Sequence, residues 1–223
     1  MQKTTLITGA SKGIGHALAK TFLQHGYKVI GTSRTGHIPG IEHPDFEAMP
    51  LDLSQPDSIK AFEKAFRTKN IHLDLLVNNA GIGPDLDTEQ PEEESFGQTF
   101  AVNVSGTTFF TELLCPYLKS KGKIINISSK MGSTGLCELT DSVAYRMSKA
   151  ALNMYTKILS NRFAGKHSVA AVHPGWVKTT IAPSCVYARL TPEESAGRIY
   201  AFALSDFRNG TFWNVESGGV FVP

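Results

Sequence analysis

Two residues four positions apart, Tyr145 and Lys149, can do acid–base chemistry together. On a helix that spacing puts them on one face. A free tyrosine ionises near pH 10 and carries protons poorly at neutrality. A nearby ammonium favours phenolate, and a tenfold gain in its ionisation takes about 1.4 kcal/mol of such interaction. The pair therefore suits proton exchange with an alcohol or carbonyl oxygen.

A second chemical feature is the run Thr8-Gly9-Ala10-Ser11-Lys12-Gly13-Ile14-Gly15. It follows a β-branched, apolar stretch and opens an apolar-periodic one (Ala17, Leu18, Phe22, Leu23). A tight turn, close backbone approach to a pyrophosphate and helix–sheet packing each call for a glycine there. The helix start adds free N–H groups and a positive dipole end. The run reads as a dinucleotide site with Gly9, Ser11, Lys12, Gly13, Ile14 and Gly15 as contacts. An NAD site would place a carboxylate about 20 residues on, at the end of the next strand. Thr32-Ser33-Arg34 stands there instead. Arg34 can grip a 2′-phosphate with a forked, charged hydrogen-bond pattern, and Lys12 adds a second cation. NADP(H) is expected over NAD(H).

Alternating elements must position these groups. Strand-like runs fall at 4–8, 28–33, 47–51, 73–77, 123–127, 168–172 and near 211–215. Helical periods fall at 13–25, 56–68, 92–119, 142–164 and 192–204. Strand–helix alternation implies parallel strands joined by right-handed crossovers. The runs are nearly all apolar, as in strands covered on both faces. The expected fold is α/β: a Rossmann-like, doubly wound parallel sheet of about seven strands in three αβα layers. With no linker or repeat in 223 residues, it forms one domain, 1–223, with the substrate site in its C-terminal half.

The bulk numbers exclude other classes. Lys and Arg total 22 against 20 Asp and Glu, a net +2 that does not suit a nucleic-acid or membrane-surface binder. Cys115, Cys137 and Cys185 have neither metal-ligand spacing nor a disulfide framework. A reducing, cytoplasmic setting is expected, without metal.

The markers together resemble the short-chain dehydrogenase/reductase superfamily. Besides the glycine run there are Asn78-Asn79-Ala80-Gly81 after the fourth strand, Asn103 in "NVSG" and "NISS" closing the fifth. Tyr145-x-x-x-Lys149 follows, then Pro174-Gly175 and Thr179. The end "HPGWVKT" and the short tail are similar to small reductases of the C-factor and sniffer type. The resemblance implies an oxidoreductase interconverting a carbonyl compound and an alcohol by hydride transfer. Tyr145 would be the general acid/base, with Ser129 holding the substrate oxygen. Lys149 would tune Tyr145 and bind the nicotinamide ribose. Asn103 would complete a proton relay to Lys149 through water. Asp52 and Leu53 would bracket the adenine. Asn79, Ala80, Gly81, Pro174, Gly175, Val177 and Thr179 would line the cofactor. Ser129 and Tyr145 stand 16 apart, more than is usual in the family, so Ser128 and Ser133 stay open as substrate contacts. A dinucleotide sensor or signalling protein on the same fold is the alternative. The family often dimerises or forms tetramers through the helices corresponding to 92–119 and 142–164, though small members can be monomers. Only 11 residues, 180–190, separate Thr179 from Thr191, which predicts a short lid and an open site.

Overall fold

The computed structural model describes residues 2–221. Its chain order is β1 (Thr4–Ile7), α1 (Gly13–Gln24), β2 (Lys28–Ser33), β3 (Phe46–Pro50), α2 (Pro56–Arg67), β4 (Leu73–Asn78), α3 (Glu93–Phe100), α4 (Thr107–Leu114), β5 (Leu118–Ile127), α5 (Val143–Arg162), β6 (Ser168–His173), α6 (Pro192–Leu204), β7 (Phe212–Asn214) and β8 (Gly219–Val220). The strands form one sheet in the order β3-β2-β1-β4-β5-β6-β7-β8. All pairs are parallel except the last. Seven strands match the expected sheet. β8 is an addition, turned back on β7 by the Gly-rich tail.

The side-chain period of two in each strand feeds two cores. Ile7, Val77, Ile125 and Ala170 meet Leu18 and Phe22 of α1 and Ile199 and Phe202 of α6. Their neighbours Leu6, Leu76, Ile124 and Val169 meet Phe62 and Phe66 of α2, Phe110 and Leu114 of α4 and Leu159 of α5. The result is the expected three-layer arrangement. α2 and α6 start with proline at a first-turn position, and α6 has a full capping box between Thr191 and Glu194. The strand order reverses between β1 and β4, which opens a crevice at their carboxyl ends, where such sheets bind ligands.

The segment 92–119 is not one helix. α3 and α4 are joined by a π-helical turn, Ala101–Gly106, and Cys115–Tyr117 forms a 3₁₀ turn before β5. Gly106 explains part of this: a Cβ there would lie 2.0 Å from the Leu53 carbonyl oxygen. Only glycine lets the chain pass so close to the loop after β3. Pro116 then ends the helical path, and β5 starts at Leu118, five residues earlier than its apolar run suggests.

Candidate active site

β1 ends at Ile7 and the glycine run bends into α1. Gly9 and Gly13 have φ of +69° and +59°, a region side chains disfavour. Gly15 packs closer still: a Cβ would lie 2.4 Å from both the Gly9 oxygen and Asn79 Nδ2. The start of α1 has no side-chain cap and no acidic residue in its first turn. An uncapped helix end at the sheet crevice fits the pyrophosphate of a dinucleotide. Ser11 and Ile14 are half-buried there. Arg34 is exposed just past β2, where the sequence has no carboxylate at the strand end. Asp52 accepts hydrogen bonds from Ser54 N and Oγ at 2.9 and 2.7 Å, which shapes the turn after β3 beside buried Leu53.

Two expected cofactor contacts also hold the protein together. Asn79 Nδ2 donates to the carbonyls of Thr8 and Gly9 at 2.9 and 3.2 Å. Thr8 Oγ1 accepts from Asn79 N and Ala80 N at 3.0 and 2.9 Å. Asn79 thus clamps the end of β4 to the glycine turn. Lys12 Nζ donates to Thr180 Oγ1 at 2.7 Å, and the Thr179 methyl stands 3.5 Å from where a Gly13 Cβ would be. The segment after β6 therefore closes over the glycine turn.

The first turns of α5 bring Tyr145 and Lys149 to the carboxyl ends of β4 and β5, both buried. The Tyr145 hydroxyl faces the side chain of Ser129, an approach that favours its ionised form. Ser129 Oγ also accepts from Met131 N at 3.2 Å, fixing the loop after β5. Ser128 faces elsewhere: its Oγ donates to Asn153 Oδ1 at 2.6 Å. Ser133 is buried in the same loop. The structure thus pairs Ser129 with Tyr145 despite the longer spacing. Asn103, in the π turn, donates from Nδ2 to Ile82 O at 2.7 Å and Ser148 Oγ at 3.1 Å. Its Oδ1 accepts from Ile82 N at 2.9 Å. Gly81 sits where these groups converge. A Cβ there would be 3.3 Å from Asn103 Oδ1 and 3.4 Å from Lys149 Nζ.

Burial dominates the electrostatics of this pair. Lys149 Nζ lies 5.5 Å from the Tyr145 ring centre and donates to Ile127 O at 3.0 Å. Burial pushes Lys149 itself down to about 8. Burial raises Tyr145 above its ordinary value, the nearby Cys185 and Asp85 add to that, and the approach of Ser129 opposes it. Desolvation of the charged forms outweighs an ammonium at that distance.

A profile of the family described as short chain dehydrogenase matches residues 3–188. The chain belongs to the short-chain dehydrogenase family. Among characterised sequences it is 34% identical over 186 residues to the 2-dehydro-3-deoxy-D-gluconate 5-dehydrogenase of Bacillus subtilis, covering 79% of this chain and 72% of that one. Among solved structures it resembles the carbonyl reductase Sniffer of D. melanogaster, with 27% identity, TM-score 0.88 and full coverage of both chains. It also resembles the NADPH-bound carbonyl reductase from chicken fatty liver, with 30% identity, TM-score 0.83 and 99% and 94% coverage. The chain is therefore an oxidoreductase of the kind that acts on carbonyl and alcohol substrates. Among the described residues no helix is long and apolar enough to cross a membrane, and no cluster of three metal-ligating side chains occurs.

In this dehydrogenase the segment after β6 begins at Pro174, whose carbonyl accepts from Ser195 Oγ at 2.7 Å, and at Gly175, with φ +86°. Val177 pairs with Leu190, and the flanking hydrogen bonds Lys178 N to Leu190 O and Leu190 N to Trp176 O staple the base of the lid. Trp176 is 40% exposed, on the outside of the lid base rather than in the core. His173 is buried and its pKa is lowered by desolvation, so it stays neutral beside Glu216.

The lid itself departs from expectation. Pro183–Tyr187 folds as a 3₁₀ turn, and Ser184 Oγ donates to Asp87 Oδ1 at 3.0 Å, tying the lid to the loop after β4. Tyr145 is only 8% exposed, with Cys185 of the lid equally buried beside it. The short lid covers the site instead of leaving it open, because the loop after β4 rises to meet it.

Residue types alone did not single out several members of the site. Gly83 packs against Tyr145, where a Cβ would come within 2.9 Å of Cδ2. Gly132 lets the loop after β5 lie on α5 at Lys149, where a Cβ would come within 2.5 Å of its carbonyl carbon. Asp85 is 3% exposed, and its Oδ2 accepts from Tyr145 N at 3.2 Å. The one sequence signal was the acidic run that starts at Asp85, with three residues between it and "NNAG".

Proposed function

We propose that this dehydrogenase reduces carbonyl compounds to alcohols with NADPH as the preferred cofactor. The observation that carries the reading is the approach of the Ser129 side chain to the Tyr145 hydroxyl, with Lys149 one turn on, beside the uncapped start of α1. The nicotinamide, when bound, supplies the hydride that the carbonyl carbon accepts. Ser129 holds the substrate oxygen and Tyr145 gives it a proton. Lys149 reaches toward the nicotinamide ribose, and Asn103 holds the near end of a relay that returns a proton to Tyr145. Gly9, Gly13, Gly15 and the α1 start take the pyrophosphate, and Arg34 takes the 2′-phosphate. The NADPH in the chicken carbonyl reductase structure is in line with that choice.

Self-association fits as well. Phe109 and Leu113 of α4 and Met147, Met154 and Ile158 of α5 are exposed. The two helices are neighbours, since Tyr155 Oη donates to Thr108 O at 3.3 Å and Glu112 Oε1 at 3.0 Å. Exposed apolar side chains on two neighbouring helices suit contact with a second copy of the chain.

Incubation with NADPH and a panel of reactive aldehydes, quinones and diketones tests the reading. Loss of NADPH absorbance with at least one class is expected. Tight NADPH binding without oxidation across the panel would sink it in favour of a dinucleotide sensor.

A further inference from the structure

The hairpin of β7 and β8 lies against β6. Asn214 stands opposite His173, and Val215 N donates to His173 O at 3.2 Å. The turn that follows is tight. Glu216 N donates to Asn214 Oδ1 at 2.9 Å, and Gly218 N donates to Asn214 O at 3.0 Å. Glu216 is thereby carried to the carboxyl end of β6, where the Pro174–Gly175 turn begins.

Gly175 is where the hairpin, the turn and the lid meet. Its φ of +86° is a glycine conformation, and so free a backbone needs outside support to keep one shape. That support comes from two sides. A Cβ on Gly175 would lie 2.5 Å from Leu190 Cδ1, at the base of the lid. It would also lie 2.9 and 3.3 Å from Glu216 Cγ and Cδ. Pro174 is fixed separately, since its carbonyl accepts from Ser195 Oγ at 2.7 Å. Glu216 is therefore the wall that the hairpin sets against the turn.

His173 gives that wall a reason to carry an oxygen. The residue is 4% exposed, and among the described residues neither ring nitrogen has a hydrogen-bond partner. A buried imidazole N–H without an acceptor is costly. Glu216 Oε2 stands 3.7 Å from Nε2, outside hydrogen-bond range but within reach of a small shift of the hairpin. An apolar side chain would wall Gly175 equally well and would offer His173 nothing.

We propose that Glu216 is a positioning residue of the cofactor site: anchored on His173, it holds the Pro174–Gly175 turn against the base of the lid and so shapes the seat of the nicotinamide half of the dinucleotide. This rests on the reading of that turn as part of a dinucleotide site. In the sheet, β4 and β5 separate β1, which feeds the glycine run, from β6, which the hairpin borders. The adenosine half of the dinucleotide, held by the glycine run and Arg34, owes nothing to the hairpin. The effect of Glu216 thus falls on one half of the cofactor.

Binding titrations with NADPH and with 2′,5′-ADP, which keeps the adenosine end and lacks the nicotinamide, read this without any substrate. Glu216→Ala should weaken NADPH by roughly three- to tenfold, the worth of one hydrogen bond, and leave 2′,5′-ADP unchanged. Glu216→Gln keeps the size and an oxygen for His173, and it should restore most of the affinity. Glu216→Ser gives the same comparison should the alanine variant fold poorly. Equal weakening of both ligands would show a general loss of structure, and unchanged affinity for both would show an idle side chain. Either result overturns the proposal. NADH and ADP serve as the pair if Arg34 brings no phosphate preference. If the chain reduces none of the carbonyls, the proposed function fails, and the two titrations still decide the role of Glu216.

Discussion

The two sides of the site differ in charge and in construction. The cofactor side has Lys12, Arg34 and the bare start of α1. The substrate side has the loop after β4 and the start of α3, where Asp85, Asp87, Glu89, Glu92, Glu93 and Glu94 occur within residues 81–100 without one Lys or Arg. A net charge of +2 hides this division. The positive side suits phosphates. The negative side repels anions. The construction differs too. The cofactor side is one contiguous strand–turn–helix, whereas the substrate side is assembled from loops after β4, β5 and β6 that meet only in the folded chain.

Variants can test that division. Tyr145→Phe strikes the junction of the two sides. It should lower kcat for carbonyl reduction by roughly 10²–10⁴-fold, the usual span for a general acid, while NADPH binding by fluorescence stays intact. Full activity in this variant would remove the mechanism. Gly15→Ala strikes the cofactor side through packing. The added methyl meets the Gly9 oxygen and Asn79, so stability should fall by about 2–3 kcal/mol and NADPH affinity with it. Thermal melts with and without cofactor measure both. Arg34→Ala should weaken NADPH by about 1.5 kcal/mol, or roughly tenfold, and leave NADH nearly unchanged. Equal losses for both cofactors would refute the phosphate contact. Asp87→Ala releases the lid from the loop after β4. A two- to fivefold rise in KM for a neutral substrate, roughly the worth of one exposed hydrogen bond, should come with little change in kcat. Ser184→Ala should match it, and a mismatch would place the effect of Asp87 elsewhere.

The cofactor side was legible because its signals are short-range. Gly9, Gly13 and Gly15 sit where a turn of positive φ must feed a helix, and spacing alone shows that. Tyr145 and Lys149 were legible for the same reason, as two side chains one helical turn apart. The substrate side was not. Asp85 looks like one more acid in a polar stretch until α5 lands beside it. The resemblance favours Ser129 but leaves Ser128 and Ser133 open until the fold turns Ser128 toward Asn153 and Ser129 toward Tyr145. Asn103 reads as helical, but it falls in a π turn that ends where Gly106 lies against Leu53. Eleven lid residues suggest an opening because length says nothing of the loop that rises to meet Ser184.

By itself the sequence determined the layering of the sheet, the family, the place of the glycine turn and the shared helix face of Tyr145 and Lys149. Apolar periodicity and local backbone constraints act within a few residues, so they can be read along the chain. Only the tertiary structure decided which serine meets Tyr145, that Asn79 clamps the glycine turn, that the lid is closed, and that burial disfavours the phenolate. Those outcomes depend on desolvation and on contacts between segments up to about a hundred residues apart, such as Asp87 with Ser184. Neither quantity exists until the chain has folded.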